Sequence, residues 1–359
     1  MAKAETTADE QGSTGDGGPL PVGVKLGSTR TVVALPDGDD NVVIAQDLTC
    51  LTTYGNALTG EDEYLYGEEA ATMYPDRVEY MLRSGLPEDD ERAELASDFF
   101  DHYVESLGIP EDSAVVYAVP TIENEAGIEN LETVIEDAAI GGTLVRSYPE
   151  SLCGAIPAVG DDLDAIDEIF LAVNLGSTNL EACAYRHGEQ LSTFATGAVS
   201  GNEVDRRIAS YVEEETQGRV NVDLTTAREY KEDHADFDDF SPFTDVIQQP
   251  GGGSHEFTIE RSVMDAVDEY VDEVVDEVAN TFLPNLANDY MRVYRHALSQ
   301  PIVLTGGMAC VPGIVEAFEE RLSEELQQEV EAIAPDEPAQ AAAEGAQRIA
   351  QRLVEREAY

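Results

Sequence analysis

The string Val-Lys-Leu-Gly-Ser-Thr at 24–29 returns as Val-Asn-Leu-Gly-Ser-Thr at 173–178. Each copy sits inside one plan: strand, glycine turn, second strand, third strand, helix. VGVKLGSTRTVVAL (22–35) matches LAVNLGSTNLEACAY (171–185) in this way. A supersecondary unit repeated at this separation points to two related α/β halves facing each other. The 359 residues are enough for two cores.

The first copy predicts strands at 22–26, 31–35 and Val42–Ala45, with turns at Gly27-Ser28 and Asp37–Asp40. A helix follows over about 91–107, with Ala96, Phe99, Phe100, Tyr103, Val104 and Leu107 at helical spacing. Ala114–Val119 reads as a buried strand. Thr121 is the expected N-cap of a helix at 123–139, which Gly141-Gly142 stop. A strand at 144–147 and a helix at 150–159 lead to an acidic boundary, Asp161–Glu168.

The second copy predicts strands at 169–174, 180–185 and 189–195. Ser200 and Glu203 then read as a capping box for a helix running to about 216. A short helix is expected at 225–232 and a hairpin turn around Pro250–Gly253. Ser262 is the expected cap of a long helix whose Val263, Val267, Tyr270, Val271, Val274, Val275 and Val278 form one stripe. That stripe reads as core, with a lateral filament contact as the alternative. A strand at 301–304, a helix at 312–328 and a last helix at 338–355 complete the chain. Residues 1–20 read as a disordered acidic tail.

The formal net charge is −54, from 74 Asp+Glu against 20 Lys+Arg, and only Lys3, Lys25 and Lys231 are lysines. Hydrophobic content of 42% excludes a disordered acidic chain. The charge argues against nucleic acid and anionic membrane as partners, because phosphates are repelled. Acidity spread along the whole chain suits a high-salt cytoplasm, where a Debye length of roughly 3 Å at ~1 M screens the carboxylates. Cys50, Cys153, Cys183 and Cys310 show no C-x-x-C spacing and read as reduced core cysteines of a cytoplasmic protein. No apolar run reaches transmembrane length, and the last helix carries no membrane-anchor pattern.

Each repeat places a glycine-hydroxyl turn between two strands. Glycine lets backbone approach an anion, successive N–H groups form a nest, and Ser/Thr hydroxyls donate to phosphate oxygens. Two facing turns, Gly27-Ser28-Thr29 and Gly176-Ser177-Thr178, can grip a polyphosphate from both sides. Gly306-Gly307, after the strand Val303–Thr305, can let a flat base or ribose lie on the backbone.

These strings together resemble the actin-like ATPase superfamily, which includes actin, the bacterial rod-shape homologue MreB and the heat-shock chaperone ATPase domain. The resemblance covers about 21–357. Val22–Val32 looks like the first phosphate loop and PESLCGAI (149–156) like the first connecting helix. Ala172–Ala182 looks like the second phosphate loop and IVLTGGMACVPGIVEAF (302–318) like the adenosine motif. DEPAQAAAEGAQRI (336–349) looks like the second connecting helix. All five occur in family order. Gly201–Asp205 and Leu224–Lys231 are closest to MreB-type proteins, and the acidity resembles haloarchaeal actin homologues.

The resemblance implies two actin-like (ribonuclease H-like) domains around a nucleotide cleft, each with a smaller inserted subdomain. The first would span 21–165 (subdomain about 51–97), completed by 335–359. The second would span 166–334 (subdomain about 199–299). It implies ATP or ADP in the cleft and self-assembly into filaments. It places Lys25, Gly27, Ser28, Thr29, Gly176, Ser177 and Thr178 at phosphate, and Gly306, Gly307, Met308, Lys231 and Arg228 at adenosine. Glu150 matches the position that orients the attacking water, and Asn174 and Glu181 lie where family members hold water around Mg²⁺.

Two departures matter. Lys25 and Asn174 each stand where the family has aspartate, adding about three positive charges. Lys25 has three readings: contact with phosphate in place of part of the metal's charge, pairing with Glu150 or Glu181 that leaves Mg²⁺ bound mainly by phosphate, or a structural pair in a site without nucleotide. Function therefore divides between a filament with slow ATP hydrolysis and a non-hydrolysing nucleotide-binding scaffold. A small-molecule kinase on the same fold lacks support from any sugar-binding insertion.

Overall fold

In a computed structural model, residues 18–38, 41–160, 166–248 and 254–356 are described. The predicted tail up to residue 17, the turn positions Asp39-Asp40, the boundary positions 161–165, the Pro250–Gly253 turn and the end of the chain beyond 356 lie outside them.

The first half runs β1 (Pro21–Leu26), β2 (Arg30–Asp37), β3 (Asn41–Leu48), β4 (Cys50–Gly55), β5 (Asp62–Tyr66), α1 (Gly67–Met73) and β6 (Glu79–Tyr80). It continues with α2 (Asp90–Leu107), β7 (Ala114–Val119), α3 (Glu125–Glu136), β8 (Leu144–Pro149) and α4 (Glu150–Val159). The second half runs β9 (Ile169–Leu175), β10 (Leu180–Arg186), β11 (Glu189–Thr196), α5 (Gly201–Glu215), α6 (Leu224–His234), β12 (Phe243–Gln248) and β13 (Ser254–Ile259). Then come α7 (Ser262–Glu277), a π-helical segment at Val278–Phe282, α8 (Leu283–Ala297), β14 (Ile302–Thr305), α9 (Ile314–Leu326), β15 (Ala332–Ile333) and α10 (Ala341–Glu355).

The repeat in sequence is a repeat in topology. One sheet has the order β3-β2-β1-β7-β8 and the other β11-β10-β9-β14-β15. In each, three antiparallel meander strands precede two strands added in parallel. The parallel strands are nearly continuous apolar runs because helices cover them: Ala114–Ala118 and Ile302–Leu304 are buried. A three-stranded sheet, β5-β4-β6, and a two-stranded sheet, β12-β13, stand beside the main sheets.

The long-helix stripe is core. Val263, Val267, Tyr270, Val271, Val274 and Val278 are each at most 1% exposed, inside the cluster that also holds β9, β10 and β14 side chains. Burial of each such side chain stabilises by roughly 1.5–3 kcal/mol. These residues are therefore spent inside the subunit and do not supply a lateral contact.

Three capping expectations need correction. Thr121 does not cap α3; Asn124 does, its side chain accepting from Gly127 N. The Ser200–Glu203 box does not form. Ser200 occupies the N-cap without a side-chain bond, and Glu203 turns to Arg206. The first N–H groups of α5 instead reach the second glycine loop, Gly201 N to Gly176 O at 3.0 Å and Asn202 N to Ser177 O at 2.7 Å. Ser262 is the first residue of α7, and the capping acceptor is Glu215 from the end of α5, which takes Glu260 N, Ser262 N and Ser262 Oγ. At α5 and α7 a partner distant in sequence outcompetes the local one, whereas at α3 the cap is local but three residues later than expected.

Two helices join the halves. α10 lies on β1 and crosses α4, which packs against β9 and β14 of the second sheet. Close approach needs missing side chains: a Cβ on Gly23 would fall 2.0 Å from Ala343 O, and one on Gly345 would fall 1.9 Å from Cys153 O.

Candidate functional site

The two glycine-hydroxyl loops have the same geometry. Gly27 N donates to Arg30 O at 3.2 Å, and Gly176 N donates to Asn179 O at 2.9 Å. A Cβ would meet those same carbonyls at 2.7 and 2.8 Å, so glycine is required at both places. The loops confront each other, with Ser28 Oγ and Thr178 Oγ1 3.1 Å apart. They line one cavity of about 380 Å³ between the sheets, together with Lys25, Glu150, Gly201, Arg228, Lys231, Gly307 and Met308. That volume lies within the range of small-molecule sites. The N–H groups of Ser28, Thr29, Ser177 and Thr178 make no hydrogen bond within the described residues. Four unpartnered donors on one cavity form an anion cradle.

The wall is charge-balanced in a chain of −54. Lys25, Arg30, Arg228 and Lys231 stand among Glu150, Asp205, Glu232 and Glu337. Most of these groups are already paired. Lys231 is buried and donates to Asp205 Oδ1 at 2.5 Å and to Gly201 O at 3.1 Å. Desolvation lowers its pKa, against the pull of Asp205. Arg228 lies 3.5 Å from Asp205 Oδ2, donates to Tyr80 Oη at 3.2 Å and sits over the Tyr80 ring. Arg30 reaches across to Glu232 through two hydrogen bonds at 3.0 and 3.2 Å.

Glu150 begins α4 and is 9% exposed. Its Oε1 forms an ion pair with Lys25 Nζ at 2.9 Å and accepts from Asn174 Nδ2 at 3.0 Å. Asn174 Oδ1 in turn accepts from Thr305 Oγ1 at 3.4 Å. Lys25 is paired with Glu150, a contact common to the second and third of its readings. Gly306, at φ +90, turns tightly over Asn174: a Cβ there would fall 2.5 Å from Asn174 Oδ1 and 2.6 Å from Leu175 O.

Glu181 is fully buried beneath the cavity. It accepts Thr121 N at 3.0 Å and Asn179 Nδ2 at 2.6 Å. Desolvation and the nearby Glu150 raise its pKa to about 8, against the opposing hydrogen bonds from Thr121 and Asn179. In the unfolded chain the group titrates near 4.5. The folded state therefore holds this proton where the unfolded state has lost it. The contribution is complete below 4.5 and is lost as pH rises through about 8. Glu181→Gln, with the Asn179 amide turned to present its oxygen, should remove this component. The melting temperature of the variant should fall less than that of the parent between pH 5 and pH 8.5. Parallel profiles would show that Glu181 does not titrate there.

These residues do not fit Mg²⁺. The ion prefers octahedral oxygen coordination. Lys25 offers only donors, Asn174 turns its NH₂ toward the site's carboxylate, and both oxygens of Glu181 are engaged below the floor. No group of three or more His, Cys, Asp or Glu among the described residues is placed to hold a metal.

Sequence reading missed Asp205, the carboxylate that fixes Lys231 and Arg228, and the Arg30–Glu232 link. The Gly201–Asp205 string marked Asp205's neighbourhood but not its role. Cys310 also corrects expectation: it is exposed at the cavity, whereas Cys50, Cys153 and Cys183 are buried.

Two five-stranded sheets of one order, joined by crossing helices over a loop-lined cleft, define the actin-like ATPase fold. Solved structures agree. MreB5 of Spiroplasma citri bound to ADP superposes with a TM-score of 0.71 at 18% identity, covering 95% of this chain and 98% of that one. A MamK double helical filament gives 0.72 at 19%, covering 93% and 99%. In sequence, residues 19–354 match the Salactin family. Salactin of Halobacterium salinarum is 65% identical over 337 residues, 94% of this chain and 93% of that protein. The chain belongs to the Salactin family, and its fold is that of MreB5 and MamK. No described helix is long and apolar enough to cross a membrane.

Proposed function

We propose that this chain binds ATP or ADP in the cleft and assembles with copies of itself into filaments, as an actin/MreB-like cytoskeletal protein. One observation carries the nucleotide reading: two loops of the same geometry, from two different sheets, line one cavity with residues whose N–H groups have no partner among the described residues. Its walls would form from residues 21–165 with 335–359 on one side and 166–334 on the other. Phosphates would lie on Gly27-Ser28-Thr29 and Gly176-Ser177-Thr178, with adenosine toward Gly306, Gly307, Met308, Arg228 and Lys231. Self-assembly is supported by the likeness to the subunit of the MamK double helical filament.

The Lys25–Glu150 pair favours a second reading for hydrolysis. A general base must accept a proton from the attacking water. Glu150 Oε1 is already engaged by an ammonium and an amide, so a water must displace one of them to reach it. Turnover should therefore be slow or absent. Light scattering and electron microscopy in molar KCl, with ATP, ADP or no nucleotide, should show nucleotide-dependent filaments. A chain that stays monomeric under all three conditions would sink the filament reading. Phosphate release in the same samples separates the two readings. Turnover that drops about tenfold or more in Glu150→Ala would assign the residue a catalytic role.

A further inference from the structure

We propose that this chain binds its nucleoside polyphosphate without a divalent cation, the Lys25 ammonium supplying the positive charge at the phosphate end. The inference rests on the nucleotide reading above and concerns the ionic form of the ligand.

Three observations carry it. First, the cavity holds a fixed cation where metal-binding oxygen would be needed. The Lys25 side chain runs beneath the first loop, its Cε 3.5 Å from where a Gly27 Cβ would stand, and its ammonium meets Glu150 at 2.9 Å. A divalent ion next to that ammonium is repelled. Second, the neighbours are rebuilt around the ammonium. Asn174 donates to the same Glu150 oxygen, at 3.0 Å. An aspartate there would set two carboxylates against each other at a single ammonium. Lys25, Glu150 and Asn174 form a cluster of zero net charge that needs no further ion to neutralise Glu150. Third, the ammonium keeps capacity. It has three N–H bonds, and Glu150 is its one partner among the described residues, leaving two to donate to phosphate oxygens. Relative to a pair of aspartates, lysine and asparagine add three positive charges, more than the two that a divalent ion brings.

Lys25 and Asn174 also depend on each other within the cluster. Lys25 without Asn174 would leave Glu150 and a second carboxylate competing for one ammonium. Asn174 without Lys25 would leave Glu150 9% exposed with only an amide beside it.

The test is calorimetric titration of the full chain with ATP and with ADP in molar KCl, once with excess EDTA and once with excess MgCl₂. Affinities of the parent chain in the two media should agree within about threefold. The Lys25→Asp/Asn174→Asp variant should bind about 30-fold or more weakly in EDTA and recover with Mg²⁺. Lys25→Met, which keeps Asn174, should weaken binding about equally in both media. Parent affinity that falls about tenfold or more in EDTA overturns the proposal while leaving the nucleotide reading intact. So does a Lys25→Met chain that binds as the parent does. No heat and no saturation with either nucleotide in either medium rejects the nucleotide reading itself, and the proposal with it. If the double variant does not fold, the parent comparison and Lys25→Met decide.

Discussion

Gly345→Ala should destabilise the chain by about 3 kcal/mol or more, read as a loss of several degrees in melting temperature. Helix propensity alone points the other way: alanine gains about 1 kcal/mol over glycine inside a helix such as α10. Sterics decide the sign. The added Cβ would fall 1.9 Å from Cys153 O and 2.8 Å from Cys153 C, both backbone atoms of α4. Neither can swing aside as a side chain would, so one helix must move off the other. Gly55→Ala is the control, because its Cβ would meet nothing nearer than Asp62 Oδ1 at 3.9 Å. The effect reaches the site as well. α4 begins at Glu150, and α10 also rests on β1, where Gly23 admits Ala343 O and Gln347 N. Pushing α10 away should therefore separate Lys25 from Glu150 and weaken nucleotide binding. Thermal melts that leave Gly345→Ala level with Gly55→Ala would refute this crossing geometry.

Dilution of salt should have a comparable or larger effect. At about 0.01 M salt the Debye length is roughly 30 Å. A chain of 359 residues is expected to have a radius of gyration of about 21 Å. Every carboxylate then acts on every other, and the net charge of −54 favours expansion. At about 1 M the length is roughly 3 Å, and only neighbours interact. Ion pairs do not offset this. Arg206–Glu203, Arg261–Asp265 and Arg83–Glu88 are exposed, and pairs of that kind contribute about 0–1 kcal/mol. The cooperative melt followed by circular dichroism in molar KCl should be lost by about 0.1 M. Filaments, which bring like-charged subunits together, should disappear first. A melting temperature constant across that range would show that the acidity does not govern stability.

Much of the fold was legible because its signals are local. Ala114–Val119 and the helix from 150 to 159 have the bounds their sequences predict, since a short apolar run ending at Pro120 and a helix ending at Gly160 carry their own boundaries. The helix stripe from Val263 to Val278 is buried as its spacing implies. Caps were less legible. Ser200 and Ser262 have the right residue type, yet the groups that satisfy those helix starts come from the Gly176-Ser177 loop and from Glu215. A cap read from sequence sees only neighbours along the chain, whereas the N–H groups accept any oxygen that the fold delivers.

The sequence alone determined that two glycine-hydroxyl hairpins occur in one order with two later helices, because hairpin turns and apolar periodicity are properties of a few consecutive residues. It also marked Lys25 as anomalous, since lysine is so rare here. Only the tertiary structure decided what the ammonium does. Glu150 is 125 residues away and Asn174 another 24, and no local pattern records which of 74 carboxylates will face it. The same holds for Glu181, buried on Thr121 and Asn179, and for Asp205 between Lys231 and Arg228. Ionisable groups settle by pairing in space under the cost of desolvation, and that cost exists only once the chain has closed around them.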